Sequence, residues 1–163
     1  MKKKNFIYFT AILIVLLVCI FILVVYKEQY KDKKLIKKFL REYYTIEEII
    51  PDKVVTEDLI RSEMDRYRNF LDEECLEKFV NTRAIFTNKQ KSYHDQFLLT
   101  LKKIDIQYVG KTNDDLKKYN YNIKLKLVYK DESYRVTSVK GSIKIKNMDN
   151  KPEITFFDYS DLK

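Results

Sequence analysis

Residues Tyr119-Asn120-Tyr121-Asn122-Ile123-Lys124-Leu125-Lys126-Leu127-Val128-Tyr129 alternate large apolar side chains with mostly polar ones. A pleated backbone sends successive side chains to opposite faces, so this pattern is a strand with one face buried and one in water. The inward set is Tyr119, Tyr121, Ile123, Leu125, Leu127 and Tyr129. The outward set is Lys118, Asn120, Asn122, Lys124, Lys126, Val128 and Lys130. A solvated second face belongs to antiparallel sheets, because parallel ones are covered on both sides.

The neighbouring segments extend the same sheet. Upstream, Phe97, Leu99 and Leu101 alternate, and Ile104, Ile106 and Tyr108 do so with the opposite parity, which makes Lys102-Lys103 a bulge. Gly110 to Asp115 reads as a turn. Downstream, Lys130-Asp-Glu-Ser133 reverses the chain, and Tyr134, Val136, Val139, Gly141, Ile143 and Ile145 supply a third inward set, with a parity change near Thr137-Ser138. Asp149-Asn150 closes another hairpin, and Ile154 to Tyr159 is the last strand.

Before Phe97 the period is helical. Leu35, Ile36, Phe39, Leu40, Tyr43 and Tyr44 form one apolar stripe. Thr45-Ile-Glu-Glu48 has the form of a capping box, and Pro51 stops any helix that reaches it. Thr56 followed by Glu57-Asp58 starts a second helix, in which Leu59, Ile60, Met64, Tyr67, Leu71, Cys75, Leu76 and Phe79 keep helical spacing. Ala84-Ile-Phe86 suggests a short third helix capped by Asn81. The fold class is therefore α+β: two or three helices on one face of a curved antiparallel sheet of about four strands.

Residues 6–26, Phe6 to Tyr26, are uncharged and almost wholly apolar. Twenty-one residues make a helix of about 31 Å, which matches a hydrocarbon core of about 30 Å. Tyr8 and Tyr26 lie where aromatic rings suit the interface. The run ends in Leu23-Val24-Val25-Tyr26, with no small-x-small cleavage site. Leu16-Leu-Val-Cys19 does not suit lipid attachment either, since Val18 stands where a small residue is needed. The expected order is a basic tail (1–5), an uncleaved transmembrane helix (6–26) and an extracytoplasmic domain (27–163).

Orientation weighs two charge clusters. Lys2, Lys3 and Lys4 precede the span, and Lys27, Lys31, Lys33, Lys34, Lys37, Lys38 and Arg41 follow it. By bare count the later cations argue for the opposite topology, but they belong to a folding helix and are partly offset by Glu28, Asp32 and Glu42. The start resembles an export signal that was not cut. The expectation is a single-pass protein in the cell membrane, with its N-terminus cytoplasmic and its C-terminal domain outside.

The chain has 163 residues, 45% of them hydrophobic, with two glycines, two prolines and no tryptophan. This excludes collagen-like and disordered chains and leaves little material for a glycine-rich phosphate loop. Strands ending in Gly141-Ser-Ile-Lys-Ile-Lys and Asp149-Asn-Lys-Pro-Glu-Ile-Thr-Phe-Phe-Asp158, after a set of helices, resemble the nuclear-transport-factor-2-like (cone-shaped α+β) superfamily. Joined to one N-terminal anchor, the layout resembles the bitopic scaffold subunit of type IV secretion and conjugation machines. It also resembles the membrane-proximal, non-catalytic domain of some low-affinity penicillin-binding proteins. The resemblance covers roughly residues 32–163 and implies a role in organising an envelope complex. Other cone domains are small enzymes with a buried carboxylate base, so a membrane-tethered ligand-binding or enzymatic domain is the alternative.

No residue pattern supports the catalytic version. His94 is the single histidine, and Cys75 lies on an apolar helical stripe without an oxyanion turn nearby. Cys19 lies in the span, so no intrachain disulfide with Cys75 is expected. Asp72-Glu73-Glu74 point around a helix rather than converging. Tyr43, Tyr67 and Tyr121 read as core residues whose hydroxyls need partners. No catalytic group, metal or cofactor is expected.

Charge is more informative. Residues 27–95 carry 15 basic and 15 acidic side chains, whereas residues 117–146 carry nine basic and two acidic ones. Lys118, Lys124, Lys126, Lys140, Lys144 and Lys146 all take the outward parity and form a candidate partner-facing basic sheet. The expected partners are the membrane itself and other envelope-complex proteins, with homo-oligomerisation left open. Nucleic acid is not expected, because the aromatics take the parity opposite to these lysines and could not interleave with them. A lysine-rich face that only keeps the sheet soluble is the bland alternative.

Overall fold

The computed structural model describes residues 2–49, 56–148 and 151–158, with side chains from residue 13 onward. Four helices precede four strands: α1 Lys2–Tyr43, α2 Glu57–Tyr67, α3 Glu73–Asn81, α4 Ala84–Asp95, β1 Phe97–Lys111, β2 Lys117–Tyr129, β3 Tyr134–Met148 and β4 Lys151–Phe157. The strands form one antiparallel meander in the order β1-β2-β3-β4. Register shifts at Leu101/Lys103, Tyr108/Gly110 and Lys144/Ile145 add bends that curve it.

Helix α1 runs without interruption from the apolar segment into the domain. From Leu13 to Val25 its apolar side chains are exposed, and it is the one helix among the described residues long and apolar enough to cross a membrane. From Ile36 the same helix becomes core: Ile36, Phe39, Leu40, Tyr43 and Tyr44 are buried, as the stripe predicts. Phe39 and Tyr43 meet Tyr67, Phe79 and Phe157 in one aromatic cluster, with Phe39 and Phe157 edge to face at 4.8 Å. The inward residues of β2 close the cluster from the sheet side, Tyr119, Ile123 and Leu125 being fully buried.

Three local expectations are corrected. The run from Thr56 to Phe79 is two helices, because the chain leaves α2 at Arg68 so that Leu71 can bridge Ile154 on β4 and cover that edge. Asp72 then caps α3 by accepting from the Cys75 amide at 2.8 Å, which puts Glu73 and Glu74 in the positive first turn. Arg83, in the left-handed region, and not Asn81, precedes α4. Thr45 starts no helix: Ile46 runs extended and exchanges both backbone hydrogen bonds with Leu99, covering part of the β1 edge. The Thr56 cap and the Lys102 bulge form as expected. Pro51, the Asp149-Asn150 turn and Tyr159 lie outside the described residues.

Candidate functional site

The central strand fixes which side chains share the outer face. Asn120, Asn122 and Lys124 are exposed, while Tyr119, Tyr121, Ile123, Leu125 and Leu127 are buried. Pairing extends this face to both neighbours, giving rows Leu98–Val128–Tyr134, Thr100–Lys126–Val136 and Lys103–Lys124–Ser138. Next come Asp105–Asn122–Lys140 and Gln107–Asn120–Ser142, and Lys118 lies opposite Lys144. Lys146, opposite Glu153, is also on this face. All six lysines singled out from the sequence therefore lie on it. They form no single cluster. Lys124 and Lys126 sit toward one end of the sheet, Lys118, Lys144 and Lys146 toward the other, and Lys140 between them.

β3 corrects the sequence reading. Its pairing with β2 runs from Tyr134 to Ile145 without a register shift, so no parity change occurs near Thr137-Ser138. Thr137 and Arg135, opposite Leu125 and Leu127, take the inward parity, and Tyr134 and Val136 turn outward. They are 66% and 55% exposed. The Lys126 ammonium lies 4.6 Å from the centre of the Tyr134 ring, and Lys144 lies 5.4 Å from that of Phe156. The premise that every aromatic lies opposite to the lysines is thus wrong. Lys103 was also missed: the Lys102 bulge turns it outward, directly beside Lys124.

Like charges directly across a sheet are destabilising. This face holds two such pairs, Lys103–Lys124 and Lys118–Lys144. A surface serving solubility alone would interleave signs evenly; here the acids are Asp105, Glu153 and Asp158, the last lining one groove with Asp105, Lys118 and Lys140.

A second constellation joins α1 to the sheet. Asp32 is 1% exposed and accepts from the Tyr119 hydroxyl at 2.7 Å and the Lys117 ammonium at 3.0 Å, while Lys117 also reaches Glu28 at 3.1 Å. Burial disfavours the Lys117 ammonium, but the bonds to Asp32 and Glu28 outweigh it, and its pKa lies above the ordinary value. Burial first, then the bond to Asp32, pushes the Tyr119 pKa strongly upward. The other buried acid, Glu63, is held by Lys89 and Arg66, and Arg66 in turn bonds Glu42 of α1.

The remaining polar core is equally committed. Tyr43 donates to the Ala84 carbonyl and Tyr121 to the Asp158 carbonyl. Gly141 leaves room for that second bond, since a Cβ there would lie 2.4 Å from the Tyr121 hydroxyl oxygen. Burial pushes the Cys75 thiol up to about 12, which suits a small core residue and not a nucleophile. His94 is exposed on α4 against the Tyr93 ring. Among the described residues no group of three or more histidine, cysteine or acidic side chains is placed to hold a metal ion. A surface groove of about 560 Å³ runs past Glu42, Arg66, Lys89 and Leu101, where Arg66 is already bonded to Glu42.

Similar structures exist for this arrangement of helices over a curved meander. A periplasmic fragment of TraM superposes with a TM-score of 0.52 at 16% identity, over 79% of this chain and 94% of that one. CagV, a VirB8 homolog of T4SS from Helicobacter pylori strain 26695, gives 0.51 at 11% identity, over 80% and 99%. This chain has their fold. The periplasmic domain of DotI gives 0.50 at 10% identity, over 79% and 92%. The expected α+β fold, with helices over a curved antiparallel sheet of four strands, therefore holds, and the likeness covers 92% or more of each of these chains. No family model and no curated protein matches the sequence.

Proposed function

We propose that this chain is a single-pass, membrane-anchored, non-enzymatic scaffold subunit of a bacterial envelope complex of the type IV secretion or conjugative-transfer kind. One observation carries the reading: an exposed apolar helix continues unbroken into a domain with the fold of two periplasmic domains and of a VirB8 homolog of T4SS. In this reading residues 1–5 are cytoplasmic, 6–26 span the membrane and 27–163 lie outside. The periplasmic placement of TraM and DotI supports that side for the domain.

Two features favour a scaffold over a tethered enzyme. The space between helices and sheet is filled by Phe39, Tyr44, Tyr67 and Tyr119, each at most 2% exposed. The buried acids Asp32 and Glu63 are each paired with a lysine. The basic outer face, with its unfavourable lysine pairs, is the surface on which partners assemble.

The test is extraction of the tagged full chain from membranes. The reading expects retention through an alkaline carbonate wash and, in mild detergent, recovery in an assembly much larger than the 19.8 kDa chain in its micelle. Release by carbonate would overturn the anchor, and a solitary chain would overturn the scaffold.

A further inference from the structure

We propose that the end of the outer face formed by Leu98, Val128, Tyr134 and Val136, with Lys124 and Lys126 beside it, seats an acidic segment of a partner protein that carries an aliphatic or aromatic anchor residue. The proposal rests on the basic face being a partner surface, and it adds the place on that face and the chemistry of the occupant.

The four apolar residues occupy two adjacent rows of three neighbouring strands, on the side of the sheet that carries none of the buried core residues. Leu98 and Val128 are half-buried, and Tyr134 and Val136 are more than half exposed. An exposed tyrosine among aliphatics, bounded by charge, has the anatomy of an interface centre: apolar and aromatic within, polar at the rim. Lys126 already lies over the Tyr134 ring, so its ammonium is held where a carboxylate arriving beside the ring would meet it.

Charge selects the occupant. Lys126 stands in the second apolar row and Lys103 and Lys124 directly opposed in the row beyond it, and an anion between them removes a repulsion that the free protein sustains. A second copy presenting the same face would bring lysine against lysine. Stacked bases would need neighbouring aromatics. Tyr134 lies ten residues from Lys144, whose ammonium approaches Phe156, which places the two rings about 33 Å apart along the strand. A lipid surface fits poorly too. Val128 lies about 36 Å along β2 from Lys117, the residue that meets α1 where the helix leaves its apolar segment.

The experiment uses the full chain in phosphatidylcholine nanodiscs and fluorescence anisotropy with three labelled probes. These are a peptide of glutamates interspersed with leucine and phenylalanine, a glutamate-only peptide of equal charge, and a deoxythymidine oligonucleotide. The first peptide should bind at least about ten-fold more tightly than the second, and Tyr134→Thr with Val136→Thr should abolish that advantage while leaving the glutamate-only peptide within about two-fold. Lys124→Gln with Lys126→Gln should weaken both peptides and flatten their salt dependence. Threonine keeps strand propensity, and an unchanged denaturation midpoint confirms that the variants fold. Equal binding of the two peptides, or no effect of the Tyr134 variant, would overturn this proposal and leave the basic-face reading standing. Binding of neither peptide, or preference for the oligonucleotide, would overturn both.

Discussion

Replacing Asp32 tests whether the anchor helix is keyed to the sheet. Asp32→Ala removes the acceptor of the Tyr119 hydroxyl and the nearer partner of Lys117. Breaking one side of a buried ion pair costs about 3–5 kcal/mol, and a buried hydroxyl left without a partner about 1–3 kcal/mol. The full sum does not apply here, because Glu28 still holds Lys117 at 3.1 Å. The expected loss is about 2–4 kcal/mol, of the order of a quarter of a typical domain's stability. Asp32→Asn keeps an oxygen for Tyr119 but no charge for Lys117, and should lose about 1–2 kcal/mol. Adding Lys117→Met to Asp32→Ala should recover part of the loss, because no cation is then left to be compensated. The assay is urea denaturation of the full chain in micelles, followed by near-ultraviolet circular dichroism across the double-mutant cycle. A loss below about 0.5 kcal/mol for Asp32→Ala, or additive effects of the two substitutions, would refute the coupling.

Three further outcomes follow from the same structure. Leu125, fully buried between Leu101 and Thr137, should cost about 2–5 kcal/mol on truncation to alanine, and a loss under about 1 kcal/mol would mean that the inward face is misassigned. Stability should fall above about pH 8.5, because Cys75, Tyr67, Tyr119 and Tyr121 all have folded pKa values raised by burial. A raised group stabilises the fold below its unfolded pKa and loses that contribution as pH climbs toward the folded one, so urea midpoints that rise between pH 8 and pH 11 would contradict the assignment. Changing Lys124, Lys126, Lys144 and Lys146 to glutamine should leave the denaturation midpoint nearly unchanged, each within about 0.5 kcal/mol, while lowering recovery of the native assembly at low salt; equal recovery would leave only the solubility role.

Legibility in the sequence followed periodicity. The stripe from Leu35 to Tyr44 and the alternation from Tyr119 to Tyr129 each repeat for several turns or rungs, and the structure buries those positions, Leu35 and Tyr129 only in part. The Lys102 bulge was readable because apolar residues on both sides disagreed in parity. The same logic failed on β3, where Tyr134 and Val136 were assigned inward for being apolar, although an interaction surface also carries apolar residues. The break between α2 and α3 was hidden because Leu71 keeps helical spacing while serving as a bridge to β4.

The Asp32 junction left a signal that hydropathy conceals. Asp32 stands four residues before Ile36 on the buried stripe, and Lys117 shares the inward parity of Tyr119. An acid and a base at two core positions are a pair when they face each other, and only the tertiary fold brings those positions together. The outer face was legible as charge, but its pairing was not: which lysines oppose one another depends on register, and the Lys102 bulge sets it.

Whether this anchored domain works as a subunit of a transfer or secretion assembly is tested most directly in the cell that encodes it. Deletion of the chain, complemented by the full protein, by residues 30–163 exported without the anchor, or by the four-lysine variant, would be read out as DNA transfer or effector secretion. Transfer should be lost on deletion and restored by the full protein. The untethered domain should not restore it, and the lysine variant at normal abundance should restore it only in part. Unchanged transfer after deletion, or full rescue by the untethered domain, would contradict that role.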